Sequence, residues 1–281
     1  MVHDLSTIAS ISQTTITDSL RSLSTNTSIS TAGESIPREQ RPIWISPGLK
    51  TPTWGNATSG GDLSMVCSTS IHAPLALVVS LIIDVRTYPS WNSFAPTTTI
   101  THQPKSTAPL PHCLRGSDYT DGVANNTTTL RDGTNFILDV LMDSSPEAHR
   151  PRYASGGCSP VSGGSAHHHQ PRTRTSPTLV VTCLDQFERD GRIGVRIAWR
   201  IKSRMAGLLY KTERVQELLP SEDDPEGTIE YRNWETHYGM FSGSIKSLMG
   251  KSIEVGYGGW MDGLKAFAEA KSERAREMKG H

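Results

Sequence analysis

The chain has 281 residues, of which 35% are hydrophobic, and a mean hydropathy of −0.39, too polar for one packed globule of that length. Lys and Arg (28) balance Asp and Glu (28), so no net field draws the protein to nucleic acid or to an anionic surface. No run approaches the ~18 apolar residues that a membrane span needs, so neither nucleic acid nor a transmembrane segment is expected.

Residues 1–40 are rich in Ser and Thr, and their composition predicts disorder. Residues 41–62, with Pro, Gly and two tryptophans, read as an ordered lead-in. The folded domain is expected over 63–278. It opens with a strand at Leu63, in which Met65, Cys67, Thr69 and Ile71 alternate with smaller residues. Pro74 ends that strand. LALVVSLIIDV then reads as a buried helix and YPSWNSFAP as a turn or short helix broken by Pro89 and Pro96.

TTTITH is the next strand. Residues 103–133 read as a polar insertion, and TNFILDVLMD as a strand with Phe136, Leu138, Val140 and Met142 on one face. Residues 144–177 are a low-complexity insertion of Pro, Gly, Ser, Arg and the triplet His167, His168 and His169. A meander follows. PTLVVTCLDQFE and RIGVRIAWRIKS are separated by a tight turn at Asp190-Gly191, and the second strand puts Val195, Ile197, Trp199 and Ile201 on one face. LLYKTERVQELLP and TIEYRNWETHYG complete it.

From Ser244 to about Met278 apolar residues recur at helical spacing, including Ile245, Met249, Ile253, Tyr257, Trp260, Leu264 and Phe267. Gly256, Gly258 and Gly259 interrupt this long helix, each costing about 1 kcal/mol relative to Ala. They predict a bend or a close approach by a strand or a ligand.

Strand, two short helices, antiparallel strands and a long amphipathic helix resemble the START-like (SRPBCC) superfamily, which includes polyketide cyclases and coenzyme-Q-binding proteins. The likeness rests on SIHAPLALVVSLIIDVRTYPSWNSFAP (70–96), RIAWR (196–200), TERVQEL (212–218), YRNWETHYG (231–239) and GYGGWMDGLKAFAEA (256–270). It looks most like an uncharacterised fungal branch. The resemblance implies an α+β helix-grip fold, a curved antiparallel sheet of six to seven strands around the C-terminal helix, with an apolar cavity between them. It implies binding or carriage of a hydrophobic small molecule such as a lipid, quinone or polyketide. The alternative is a polyketide cyclase or dehydratase-like enzyme of secondary metabolism working by acid–base groups in the cavity.

Candidate ligand-binding residues are Trp91 and Asn92 in the turn, Phe136 and Leu138, Ile197 and Trp199, Arg214, and Tyr257 and Trp260 on the helix. For each, plain core packing is the competing reading. Glu235 and His237, two apart on one strand face, are the catalytic candidates if the protein is an enzyme. Which face they occupy stays open, because Trp234 between them also requires burial. The histidine triplet lacks the rigid frame of a metal site, so no metal or cofactor is expected. Cys67, Cys113, Cys158 and Cys183 form no CxxC pair and fit a reducing compartment. The N-terminus has no basic, apolar leader pattern, so an intracellular, cytoplasmic location is expected. Nothing in the sequence sets the oligomeric state.

Overall fold

A computed structural model describes residues 32–54, 61–105, 109–115, 127–143, 145, 173–202 and 209–279. Nine antiparallel strands form one sheet: β1 (Gln40–Ile45), β2 (Leu63–Ile71), β3 (Thr97–His102), β4 (Asn135–Met142), β5 (Thr173–Thr175), β6 (Thr178–Arg189), β7 (Arg192–Ile201), β8 (Lys211–Pro220) and β9 (Ile229–Tyr238). The order is β1-β2-β9-β8-β7-β6-β4-β3, with β5 paired to β4. Helix α1 (Leu75–Ile83) and the single turn α2 (Tyr88–Trp91) follow β2, and α3 (Ser242–Lys279) closes the chain. This is the α+β helix-grip arrangement, a curled sheet closed over by a long C-terminal helix.

The strand count is nine rather than six to seven. The two added strands are β1 and β5. β1 carries Pro42, tolerable at a sheet edge where the missing N–H costs no ladder bond. β5 is three residues long and lies at the end of a segment read as an insertion. The β6–β7 turn is a two-residue one, with Asp190 at φ 53° and Gly191 at φ 71°, the left-handed pair that matches strand twist.

Along α3 the glycines are where other parts of the chain come closest. A Cβ on Gly256 would collide with the Phe94 ring, and one on Gly263 with the Trp91 carbonyl. The turn after α1 therefore docks directly on the helix backbone. The close approach is by protein, and Phe94 fills the space beside Gly256.

Strands β2, β8 and β9 are buried on both faces. Inside, Met65, Leu77, Ile82, Tyr88, Trp91, Phe136, Ile197, Leu218, Tyr231, Trp260 and Leu264 belong to the main core. Outside, Val66, Ala198, Val215 and Trp234 form a second cluster under Ile36, with Ile45 and Leu49 against it. The chain before β2 makes this cover: Trp234 Nε1 donates to the Lys50 carbonyl (3.0 Å), and Thr53 donates through N and Oγ1 to Glu213 (2.9 and 2.7 Å). A boundary at residue 40 thus cuts through packed structure, since Ile36 is buried. So do boundaries around 103–133, where Leu114, Thr129 and Leu130 are buried. The remainder of 1–31 and most of 144–177, with the histidine triplet and Cys158, lie outside the described residues.

Candidate functional site

Between α3 and the concave face of the sheet lies a cavity of about 450 Å³. Strands β4, β6 and β7 supply an apolar wall: Leu138, Val140 and Met142, then Leu179, then Trp199 and Ile201. Helix α3 closes over it with Ile245, Met249, Ile253 and Tyr257, four residues at i, i+4, i+8 and i+12 on one helical stripe, and Phe94 joins from the turn after α2. Thr175, Ser176 and Pro177 line it at the β5–β6 link.

The opposite wall, on β8 and β9, is polar. Tyr210, Thr212, Arg214, Glu235 and His237 line it. Register makes them neighbours, for Thr212 lies opposite His237 and Arg214 opposite Glu235. Inward parity on both strands alternates these residues with outward Glu213, Val215, Trp234 and Thr236. Glu235 faces the long helix, where its carboxylate accepts hydrogen bonds from the hydroxyls of Tyr257 and Thr212. His237 Nδ1 and the Tyr210 hydroxyl are hydrogen-bonded at 2.8 Å, and the Trp44 ring lies 5.1 Å from the imidazole.

Burial sets the chemistry of these groups. Loss of water pushes the His237 pKa down, with Glu235 opposing, so the imidazole is neutral at pH 7. Burial pushes the Tyr257 hydroxyl well above its usual range; Arg214 opposes and Glu235 adds to the shift. The Tyr210 hydroxyl moves up from the same causes, burial and then Glu235. For Arg214 burial opposes the charge, yet Tyr257, Tyr231 and Glu235 together raise its pKa. Cys67, buried on β2 beside Asn233, is pushed up to about 11 by desolvation and is a thiol rather than a nucleophile.

The sequence candidates divide. Leu138, Trp199, Arg214, Tyr257, Glu235 and His237 line the cavity. Trp91, Asn92, Phe136, Ile197 and Trp260 do not. Trp260 is the centre of an aromatic cluster, with Trp91, Tyr88 and Trp199 at centroid distances of 5.0, 5.6 and 6.1 Å. The edge-on approach of Trp91 and Tyr88 to its ring is the geometry aromatic quadrupoles favour. Phe136 meets Trp199 edge-on from behind at 5.7 Å. Asn92 accepts from the Ala95 N–H (2.9 Å) and ties the turn. Ile197 is fully buried one inward step from Trp199. Helical spacing places Trp260 on the same broad stripe as Tyr257, but α3 presses that part of the stripe onto α2, where no room remains. Sequence reasoning passed over Phe94, Tyr210 and Thr212. Inward parity with Arg214 marks Thr212 and Tyr210, both within the run read as a strand, whereas Phe94 comes from a turn and leaves no periodic signal. Among the described residues no cluster of His, Cys, Asp or Glu could hold a metal ion. No described helix is long and apolar enough to cross a membrane.

No protein-family model matches the chain, and no curated protein matches its sequence. Solved structures resemble it only distantly. A hypothetical protein from Helicobacter pylori is 10% identical over 72% of this chain and 86% of its own, with a TM-score of 0.43. A START superfamily protein from Mycobacterium smegmatis is 12% identical over 75% and 98%, with a TM-score of 0.38. A norcoclaurine synthase point mutant from Thalictrum, bound to a transition-state analogue, is 10% identical over 77% and 95%, with a TM-score of 0.34. At such distances nothing about ligand or chemistry passes from them to this chain.

Proposed function

We propose that the protein binds an apolar small molecule, a lipid, quinone or polyketide-like compound, between α3 and the sheet. The carrying observation is the two-sided cavity: about 450 Å³, apolar on β4, β6, β7 and α3, with a few polar groups converging from β8 and β9. That combination of volume, apolar lining and sparse oriented polarity is what small-molecule sites require. The test is a neutral, environment-sensitive dye such as N-phenylnaphthylamine. Saturable, one-to-one binding by the native chain is expected, and Leu138→Trp, which fills the cavity, should abolish it while the protein still melts cooperatively. Dye uptake only after heating or denaturant would sink the reading.

A second reading is acid–base catalysis on the bound molecule, such as cyclisation or dehydration of a polyketide-like carbonyl compound. The observation favouring it is Glu235, a carboxylate in the cavity wall held by two hydroxyls beside a neutral imidazole. Under it, Glu235→Gln removes turnover and leaves dye binding intact, because an amide keeps the shape but cannot shuttle a proton.

A further inference from the structure

The outer face of the sheet shows how this protein ordinarily buries arginine. Arg196 donates through Nε and Nη2 to Glu217 (3.0 and 2.8 Å), and Arg189 reaches the same carboxylate at 2.7 Å. Arg192 and Arg232 share Glu230 at 3.0 and 3.1 Å. Each of these guanidinium groups has a carboxylate in direct contact.

Arg214, on the inner face, has none. The residue is 3% exposed. Nε donates to Asn233 Oδ1 (3.0 Å), a neutral acceptor, and Nη2 has no acceptor at all. The guanidinium carbon lies 4.1 Å from the Trp260 ring centre and 4.3 Å from that of Tyr257. Among the described residues no carboxylate makes an ion pair with it. Its register partner Glu235 acts on it from a distance, its oxygens being taken by Tyr257 and Thr212. Aromatic faces offset part of the cost of burying a cation, but not its unused donors. Arg214 also lines the cavity.

We infer that the cavity's ligand carries a carboxylate and that Arg214 binds it. The inference rests on the reading that the cavity holds an apolar small molecule, and it names that molecule's polar group. A guanidinium offers a planar fork of donors that matches a carboxylate. The charged and titratable groups facing it across the cavity are Glu235, already hydrogen-bonded, and neutral His237; Tyr210 and Tyr257 stay protonated. From α3 come only uncharged side chains. The ligand's apolar body then lies against β4, β6 and β7. An alcohol would leave the guanidinium charge unmatched, and an ammonium would oppose it.

The test displaces N-phenylnaphthylamine from the full chain at mildly alkaline pH. Decanoate and naphthoate are each compared with the matching neutral alcohol, decanol and naphthylmethanol, and decanoate also with decylamine. The carboxylates should displace the dye at concentrations at least about tenfold lower, the worth of one hydrogen bond between charged partners. Arg214→Met and Arg214→Gln should each erase that preference, read as the ratio of acid to alcohol concentrations for half-displacement at each variant's own dye affinity. Two variants, one apolar and one polar, guard against a folding failure in either, and the comparison on the native chain stands without them. Equal displacement by acid and alcohol, with the dye bound normally, would overturn the carboxylate and leave the apolar cavity standing. A native chain that binds no dye would overturn both.

Discussion

The two faces of one sheet solve the same problem in opposite ways. Strand β8 sends Glu213 and Glu217 outward and Arg214 inward, β9 sends Glu230 and Arg232 outward and Glu235 and His237 inward, and all of these but the half-buried Glu235 are buried. Outside, the chain before β2 lies across them and the buried guanidinium groups each meet a carboxylate: Arg189 and Arg196 meet Glu217 and Arg232 meets Glu230, while Glu213 accepts from the Thr53 and Thr182 hydroxyls. Inside, Arg214, Glu235 and His237 face a cavity, the arginine without a carboxylate in contact and His237 Nε2 without a partner. A buried cation that already meets a carboxylate is finished structure, whereas a buried cation without one at a cavity marks the place where a ligand would supply it.

The contrast is broken most sharply at Glu217. Glu217→Ala removes the carboxylate shared by two buried guanidinium groups, and a loss of about 3–5 kcal/mol is expected in urea unfolding. A loss below about 1 kcal/mol would mean that the outer network is only decorative. Next is Thr53→Ala, which strips one hydroxyl from buried Glu213 and unpins the cover. About 1–2 kcal/mol should go, since hydrogen bonds to charged groups exceed neutral ones, and proteolysis near residue 53 should quicken.

His237 tests the inner face by pH. Its pKa in the folded protein lies below the ordinary 6.5. As pH falls through 6.5 the unfolded chain takes up a proton that the folded protein refuses. Stability is therefore full above 6.5 and declines below it, by at most about 1.4 kcal/mol per pH unit for one group. His237→Gln should lose less stability than the native chain between neutral and mildly acid pH, the difference reaching about 1 kcal/mol. Parallel curves would place the imidazole in water. The smallest effect is expected at Arg214. Arg214→Met replaces a guanidinium lacking a carboxylate with an apolar chain under Trp260, and such exchanges are often neutral or stabilising. A change within about 1 kcal/mol should be seen, against the several lost at Glu217. A comparable loss at both sites would erase the distinction between the faces.

Much of this was legible in the chain itself. The long period-3.6 stripe from Ile245 to Phe267 marked α3, and strict alternation marked β4 and β7 together with the inward position of Leu138 and Trp199. Alternation failed for β8 and β9, which are buried on both sides. With Trp234 outward and Glu235 and His237 inward, neither face of β9 looks like solvent, so parity alone could not assign the pair. The missing fact was the cover. Residues 32–54 hold little regular structure beyond β1, and their polar, Pro-containing composition gives no sign that they shield a tryptophan and two glutamates.

Local pattern therefore determined which segments are strands, which is the long helix, and which side chains share a face, because those follow from backbone periods of 2 and 3.6 residues. Tertiary structure alone decided which face encloses a void. The aromatic residues Trp91, Tyr88 and Trp260 close one stretch of α3 completely, while four residues nearer its start stand off the same sheet and leave about 450 Å³. That difference depends on Phe94 and Trp91 meeting Gly256 and Gly263 from another part of the chain, a long-range contact to which no local periodicity is sensitive.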